Sequence, residues 1–177
     1  AEFAQFRFIR NAEENVITLP AQGVDEKNLL VLDCERWGLA RLHIFEVAAR
    51  RPDMLNAFQG ELQEIADIRS DSISRLTTWG RDSEELFYAD EMQDGEPLPE
   101  YLDRAGGVSF AVAGEWLTQL FLFLEKVPEG LPSFDRFSTL NFQIVIDRYD
   151  QVRPVFSEFY GWTKPGAQVR EHARAWY

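Results

Sequence analysis

This chain has a single cysteine, Cys34, and two histidines among its 177 residues. One cysteine excludes an internal disulfide framework and any multi-cysteine metal site, and it fits a reducing, cytoplasmic compartment. His43 and His172 are too few and too far apart in sequence to suggest zinc. No metal and no cofactor are therefore expected. Positive charge is also scarce: 18 Lys and Arg against 30 Asp and Glu leave a formal charge of −12. Phosphate backbones are bound by basic faces, so a nucleic-acid partner is not expected. No apolar run reaches transmembrane length, which argues against a membrane partner. Gly-x-Ser-x-Gly is absent, and there are no internal repeats or low-complexity tracts.

What is present is enough apolar material for a core, with 45% hydrophobic and 14% aromatic residues. The length suits one sizeable domain or two small lobes. Phe3 to Ile9, Asn15 to Leu19, Asn28 to Cys34 and Leu39 to Val47 read as strands, the last two forming a hairpin across Glu35-Arg36-Trp37-Gly38. Leu55, Phe58, Leu62, Ile65 and Ile68 mark one apolar helical face, predicting a helix over Asp53–Ile68. Ile73 to Trp79 and the run from Glu85 add two more strands. Gln93-Asp94-Gly95 is a turn signal, and Pro97 opens a short helix. Ser109 is a good N-cap for a helix to Val127 whose apolar residues lie on every face. Phe142 to Ile146 and Val152 to Phe156 form a final hairpin. The fold class is α+β: an antiparallel sheet with one inserted helix over residues 1–92, then a helix and small hairpin over 93–177.

The stretch from Glu85 to Val127, a strand followed by an acidic bend, a short helix and a long apolar helix, resembles the hinge of the protein-kinase family. The order of the whole chain is similar to a serine/threonine kinase from its N-lobe sheet to the start of its activation segment. Phe58-x-x-Glu61, the Glu91-to-Leu102 pattern and Asn141 ahead of a strand–turn–strand carry the likeness. The resemblance implies a kinase-like N-lobe, a hinge at Asp90, Glu91 and Met92, and a second lobe most of which is missing.

It also implies chemistry that these residues do not supply. Phosphoryl transfer is mostly positioning and charge neutralisation. His43 stands where the family has a lysine, although its glutamate partner has a counterpart in Glu61. Arg136 replaces the catalytic aspartate, and Asp135 is one residue away. Asn141 remains, while the metal aspartate's place falls on Ser157-Glu158-Phe159 or, shifted, on Phe159-Tyr160-Gly161, neither of which opens with aspartate; Glu158 is a weak substitute. Leu19 to Asp25 has one glycine where a phosphate-covering loop should be. Asp25, Glu61 and Asp90 add negative charge, and an unpaired carboxylate ~4 Å from a phosphate charge costs about 4 kcal/mol at an effective dielectric of ~20.

The resemblance therefore implies a pseudokinase: not an enzyme, with weak or absent ATP–magnesium binding, acting through a protein partner or as a homodimer. The long helix lacks its usual covering, so an interface centred on Trp116, Leu120 and Phe123 is expected, with the tail through Val169, Ala173 and Trp176 covering one face at most. Two alternatives stand beside it. One is a divergent phosphotransferase using Glu61, Asp135, Asn141 and Glu158. The other is an acidic dimeric chaperone unrelated to kinases.

Overall fold

The computed structural model describes residues 3–19, 26–45, 52–82, 85–129, 142–146 and 151–157, with side chains from 59 onward in the inserted helix. The strands are β1 (Phe6–Phe8), β2 (Thr18–Leu19), β3 (Glu26–Asp33), β4 (Gly38–Phe45), β5 (Leu76–Asp82), β6 (Glu85–Glu91), β7 (Gly95–Pro97), β8 (Phe142–Ile146) and β9 (Val152–Phe156). The helices are α1 (Pro52–Asp67), α2 (Leu98–Ala105) and α3 (Phe110–Leu124). Six strands make one antiparallel sheet in the order β1-β3-β4-β6-β5, with β2 also paired to β3. The remaining three form a second sheet, β7-β8-β9.

Strand alternation sorts β4 into two sets. Ala40, Leu42 and Ile44 face one side, where they meet Phe6, Val31 and Ala89 in a small cluster. Arg41, His43 and Phe45 face the other. There Phe45, Leu86 and Tyr88 pack with Leu62 and Ile65 of α1, with Phe123 of α3, and with Phe142 and Phe156 of the second sheet. One core thus runs from the large sheet through α1 into the second half of the chain. Phe156, fully buried, sits with its ring 5.4 Å from Phe142 and 6.1 Å from Phe123.

The segment after α1 fastens the two halves together. Ser74 N–H donates to Phe156 O at 2.7 Å and Phe156 N–H to Ser72 O at 2.8 Å, and Ile73 bridges Phe156 in parallel. Lys126 Nζ donates to Arg69 O at 3.0 Å, and the Arg153 guanidinium donates to Asp71 O.

α2 is preceded by Pro97 at its N-cap and is stopped by Gly106, whose left-handed φ of 68° returns its N–H to Leu102 O. The Ser109 side chain accepts from Val112 N–H at 3.3 Å, so the capping expectation holds. The acidic bend does more than turn. It leads into β7, which pairs with β8 and was not legible in the sequence. Gly95 makes that pairing possible, since a Cβ there would lie 2.5 Å from Ile144 O.

Two expectations for α3 need correction. Trp116 and Phe123 are not available as an interface: Trp116 is buried with Nε1 donating to Val152 O at 3.0 Å, and Phe123 belongs to the shared core. Leu120 is half-buried against the same core. β8, β9 and the sheet above cover that side, so the helix is not bare all round. The exposed face carries Phe110 at 99%, Phe121 at 63%, Leu122 at 55% and Leu117 at 53% exposure. The tail from 158 lies outside the described residues.

Replacing Phe156 by alanine should destabilise the protein by about 3–5 kcal/mol, because it empties the packing centre shared by both halves. Urea unfolding followed by tryptophan fluorescence reads this. A loss under about 1 kcal/mol would mean that the two halves do not share a core.

Candidate functional site

The kinase resemblance places a cleft between the two halves, on the side of the sheet that carries Arg41 and His43. The structure fills that side with a buried polar cluster. Asp90 is fully buried at the end of β6, directly opposite Arg41 in the β4–β6 register. Arg41 grips it with two bonds, Nε to Oδ1 at 3.1 Å and Nη2 to Oδ2 at 2.8 Å. Ser74 Oγ donates to Oδ2 at 2.6 Å. His43 Nε2 lies 2.9 Å from Oδ1, and its Nδ1 lies 2.9 Å from Glu26 Oε1 on β3. The Tyr88 ring stacks on the imidazole at 4.1 Å. Arg41 also donates to the backbone carbonyl of Ser157, at the far end of the second hairpin.

These contacts set the charges. Burial alone would push the Asp90 carboxyl up, but the Arg41 cation and the bonds from His43 and Arg41 outweigh it and hold the group down at about 2. Burial likewise pulls His43 down, yet its bonds to Asp90 and Glu26 outweigh this and the net shift is upward. The four ionisable groups are two carboxylates and two bases, so a protonated His43 makes the cluster neutral.

Several sequence expectations are resolved here. Asp90 is fully buried, and it is not an unpaired charge aimed at a phosphate, because Arg41 compensates it. Glu61 is buried on α1, yet it does not pair with His43, because both ring nitrogens of His43 are taken by Glu26 and Asp90. Ser157 reaches the junction of the two halves, and its backbone meets a fixed cation, Arg41. At the hinge, Glu91 O lies 3.1 Å from Ser74 Oγ, whose single proton goes to the closer Asp90, and Met92 N–H donates to Leu39 O at 3.1 Å. The Glu91 side chain makes only a long, exposed pair with Arg75 at 3.7 Å, which contributes little. Arg136, Asn141, Asp135, Glu158 and the loop around Asp25 lie outside the described residues.

Glu26, Arg41 and Ser74 were missed as site residues. The signal was available for one of them. Arg41 and His43, two apart in an otherwise apolar strand, must share a face, and an acidic residue in the apolar β6 is their natural counterpart. Glu26 and Ser74 carry no such mark; only the register and the fold of the 69–74 segment bring them in. Among the described residues, no group of three or more His, Cys, Asp or Glu is arranged to hold a metal.

Asp90→Ala should cost about 3–5 kcal/mol, since it strands Arg41 and His43 in the interior. A paired Arg41→Met, Asp90→Leu exchange should cost well under the sum of the single changes, and chemical denaturation of the three variants measures the difference. The pH dependence follows from the shifts. Asp90, lowered from 3.8 to about 2, adds stability that is complete above its ordinary range and is lost as pH falls toward 2. His43, raised above 6.5, adds stability that is complete below 6.5 and is lost as pH rises through its folded value. Thermal melts should therefore show a mildly acidic to neutral optimum that moves when His43 becomes Gln.

No protein-family model matches the sequence, and no curated protein matches it. Solved structures do. The kinase domain of Mycobacterium tuberculosis PknI superposes with a TM-score of 0.70 at 16% identity, covering 97% of this chain and 66% of that one. A single-substitution variant of the same domain gives 0.70 and 16%, covering 92% of this chain and 62% of that one. A double-substitution variant gives 0.71 and 16%, covering 92% and 61%. This chain therefore spans roughly three-fifths of two of these kinase domains and about two-thirds of the third. Its sheet, inserted helix, hinge, α2, α3 and hairpin constitute a protein kinase-like fold.

Proposed function

We propose that this chain is a non-catalytic, kinase-like domain of pseudokinase type that acts in the cytoplasm by binding protein. The observation that carries the reading is the Arg41–Asp90–His43–Glu26 cluster. Where the family resemblance calls for a lysine, a polar cleft and a metal, these side chains bond to one another and to Ser157 O. His43 is committed to two carboxylates and cannot reach a phosphate without breaking a buried ion network. Ser157 offers a hydroxyl in place of a carboxylate, and the guanidinium beside it disfavours a divalent cation. The engaged backbone groups of Glu91 and Met92 weaken the hinge edge as a docking site for a purine. ATP–magnesium binding is accordingly weak or absent, for reasons of occupancy more than of net negative charge.

The partner surface follows from exposure. Phe110, Leu117 and Phe121 fall seven and four residues apart along one face of α3, with Leu122 beside them. Large apolar anchors grouped in this way mark association surfaces. A second copy in a two-fold pair is the simplest occupant, since one patch then covers the other.

Two measurements test this. Calorimetry with ATP and magnesium should show no binding tighter than about millimolar, and no phosphate should transfer to a protein substrate. A micromolar dissociation constant, or transfer abolished by Asp135→Ala or Glu158→Ala, would establish a divergent phosphotransferase instead. Phe121→Asp should convert a dimer to monomer without loss of melting temperature, because Phe121 is exposed. A wild-type protein that sediments as a monomer at tens of micromolar would remove the dimer.

A further inference from the structure

We infer that the Glu26–His43–Asp90–Arg41 cluster is a proton-gated latch between the two halves of the fold, closed while His43 carries its charge. The inference goes beyond the protein-binding role and does not depend on it.

The geometry is the argument. Both nitrogens of one imidazole lie 2.9 Å from carboxylate oxygens, Glu26 Oε1 and Asp90 Oδ1. Imidazolium donates through both. A neutral ring donates through one and turns a lone pair toward the other carboxylate. Loss of the proton also removes one positive charge from a buried cluster of two carboxylates and Arg41, where an uncompensated charge is expensive.

Among the described residues, the charged groups of each neighbouring element are as follows. From β4 comes Arg41, already shared between Asp90 and Ser157 O; from β6, Asp90; from β3, Glu26; from α1, the buried carboxylate Glu61. Arg75, beside Ser74, points to solvent and Glu91, and Asp82 is at the other end of β5. The upward shift of His43 agrees with a charged ring in the folded protein.

The repulsion created by deprotonation falls on one seam. Asp90 is bonded to Ser74 Oγ, and Ser74 N–H is bonded to Phe156 O. Arg41 holds both Asp90 and Ser157 O. A cluster that must admit water opens where the two halves meet, not within the β4–β6 ladder, whose backbone bonds are independent of the ring.

The test uses the full chain carrying His172→Ala, which leaves His43 as the sole imidazole. Nitrogen-15 imidazole shifts report its protonation from about pH 6 to about pH 10, while amide hydrogen exchange reports opening. After correction for intrinsic exchange, protection at Ser74 and Phe156 should fall on the order of tenfold through the His43 titration. Protection in the β4–β6 ladder should not change. His43→Gln, which cannot carry charge, should show low and pH-independent protection at the seam. Titration of His43 with flat protection at Ser74 and Phe156 overturns the latch. So does a ring that never titrates in this range, or a folded His43→Gln protein with wild-type protection. If His43→Gln fails to fold, the titration of the parent protein decides alone.

Discussion

A carboxylate that is cut off from water must be paid back in hydrogen bonds and opposite charge, and Asp90 makes that demand on everything around it. It sits near the end of β6, beside Arg41 and His43, with no solvent contact. Arg41 must lie across from it, Ser74 must come within reach, and the ring of His43 must be oriented. Each requirement recruits a different element: β4 by register, the segment after α1 by its docking against β9, and β3 through Glu26. Buried ion networks are weak sources of net stability, but one left incomplete is strongly destabilising. Such a network specifies an arrangement more than it strengthens one. Here the arrangement specified is the approach of the two halves.

The shared core and the polar cluster divide the work. Phe45, Leu86 and Tyr88 of the sheet, Leu62 and Ile65 of α1, and Phe123, Phe142 and Phe156 supply non-directional attraction. That attraction alone would tolerate sliding of one half over the other. The bonds of Asp90, Arg41 and Ser74 are directional and permit one registration. In a kinase-like fold, the seam between the halves is where a nucleotide would be cradled. Here side chains of β4, β6 and the segment after α1 bond to one another along that seam.

Much of the fold was legible because its periodicities are clean. The hairpin Phe142–Ile146 and Val152–Phe156 was bounded correctly, and the inserted helix was placed within a residue at each end, since Leu62, Ile65 and Ile68 recur at helical spacing and Pro52-Asp53 marks the start. β7 was hidden because its three residues, Gly95-Glu96-Pro97, look like a turn; a glycine chosen for close approach to Ile144 and one chosen for a bend are the same letter. The α3 interface was assigned to the wrong residues for a related reason. A helix apolar on every face does not say which face the rest of the protein will claim. Contacts with Val152, Phe142 and Phe156, distant in sequence, claimed Trp116 and Phe123 and left Phe110, Leu117 and Phe121 outside.

By itself, the amino-acid sequence determined what depends on neighbours along the chain: the strand character of β3, β4 and β6, the Ser109 cap, the order of elements and their kinase-like succession. Elementary electrostatics makes a buried Asp90 costly unless it is paired. Which groups would pair with it was decided only by tertiary structure. Arg41 is 49 residues away, Ser74 is 16, and Ser157 lies 116 from Arg41. Electrostatic compensation is a property of distance in space. Strand register and the docking of the 69–74 segment on β9 set those distances, and neither is written in any local stretch of residues.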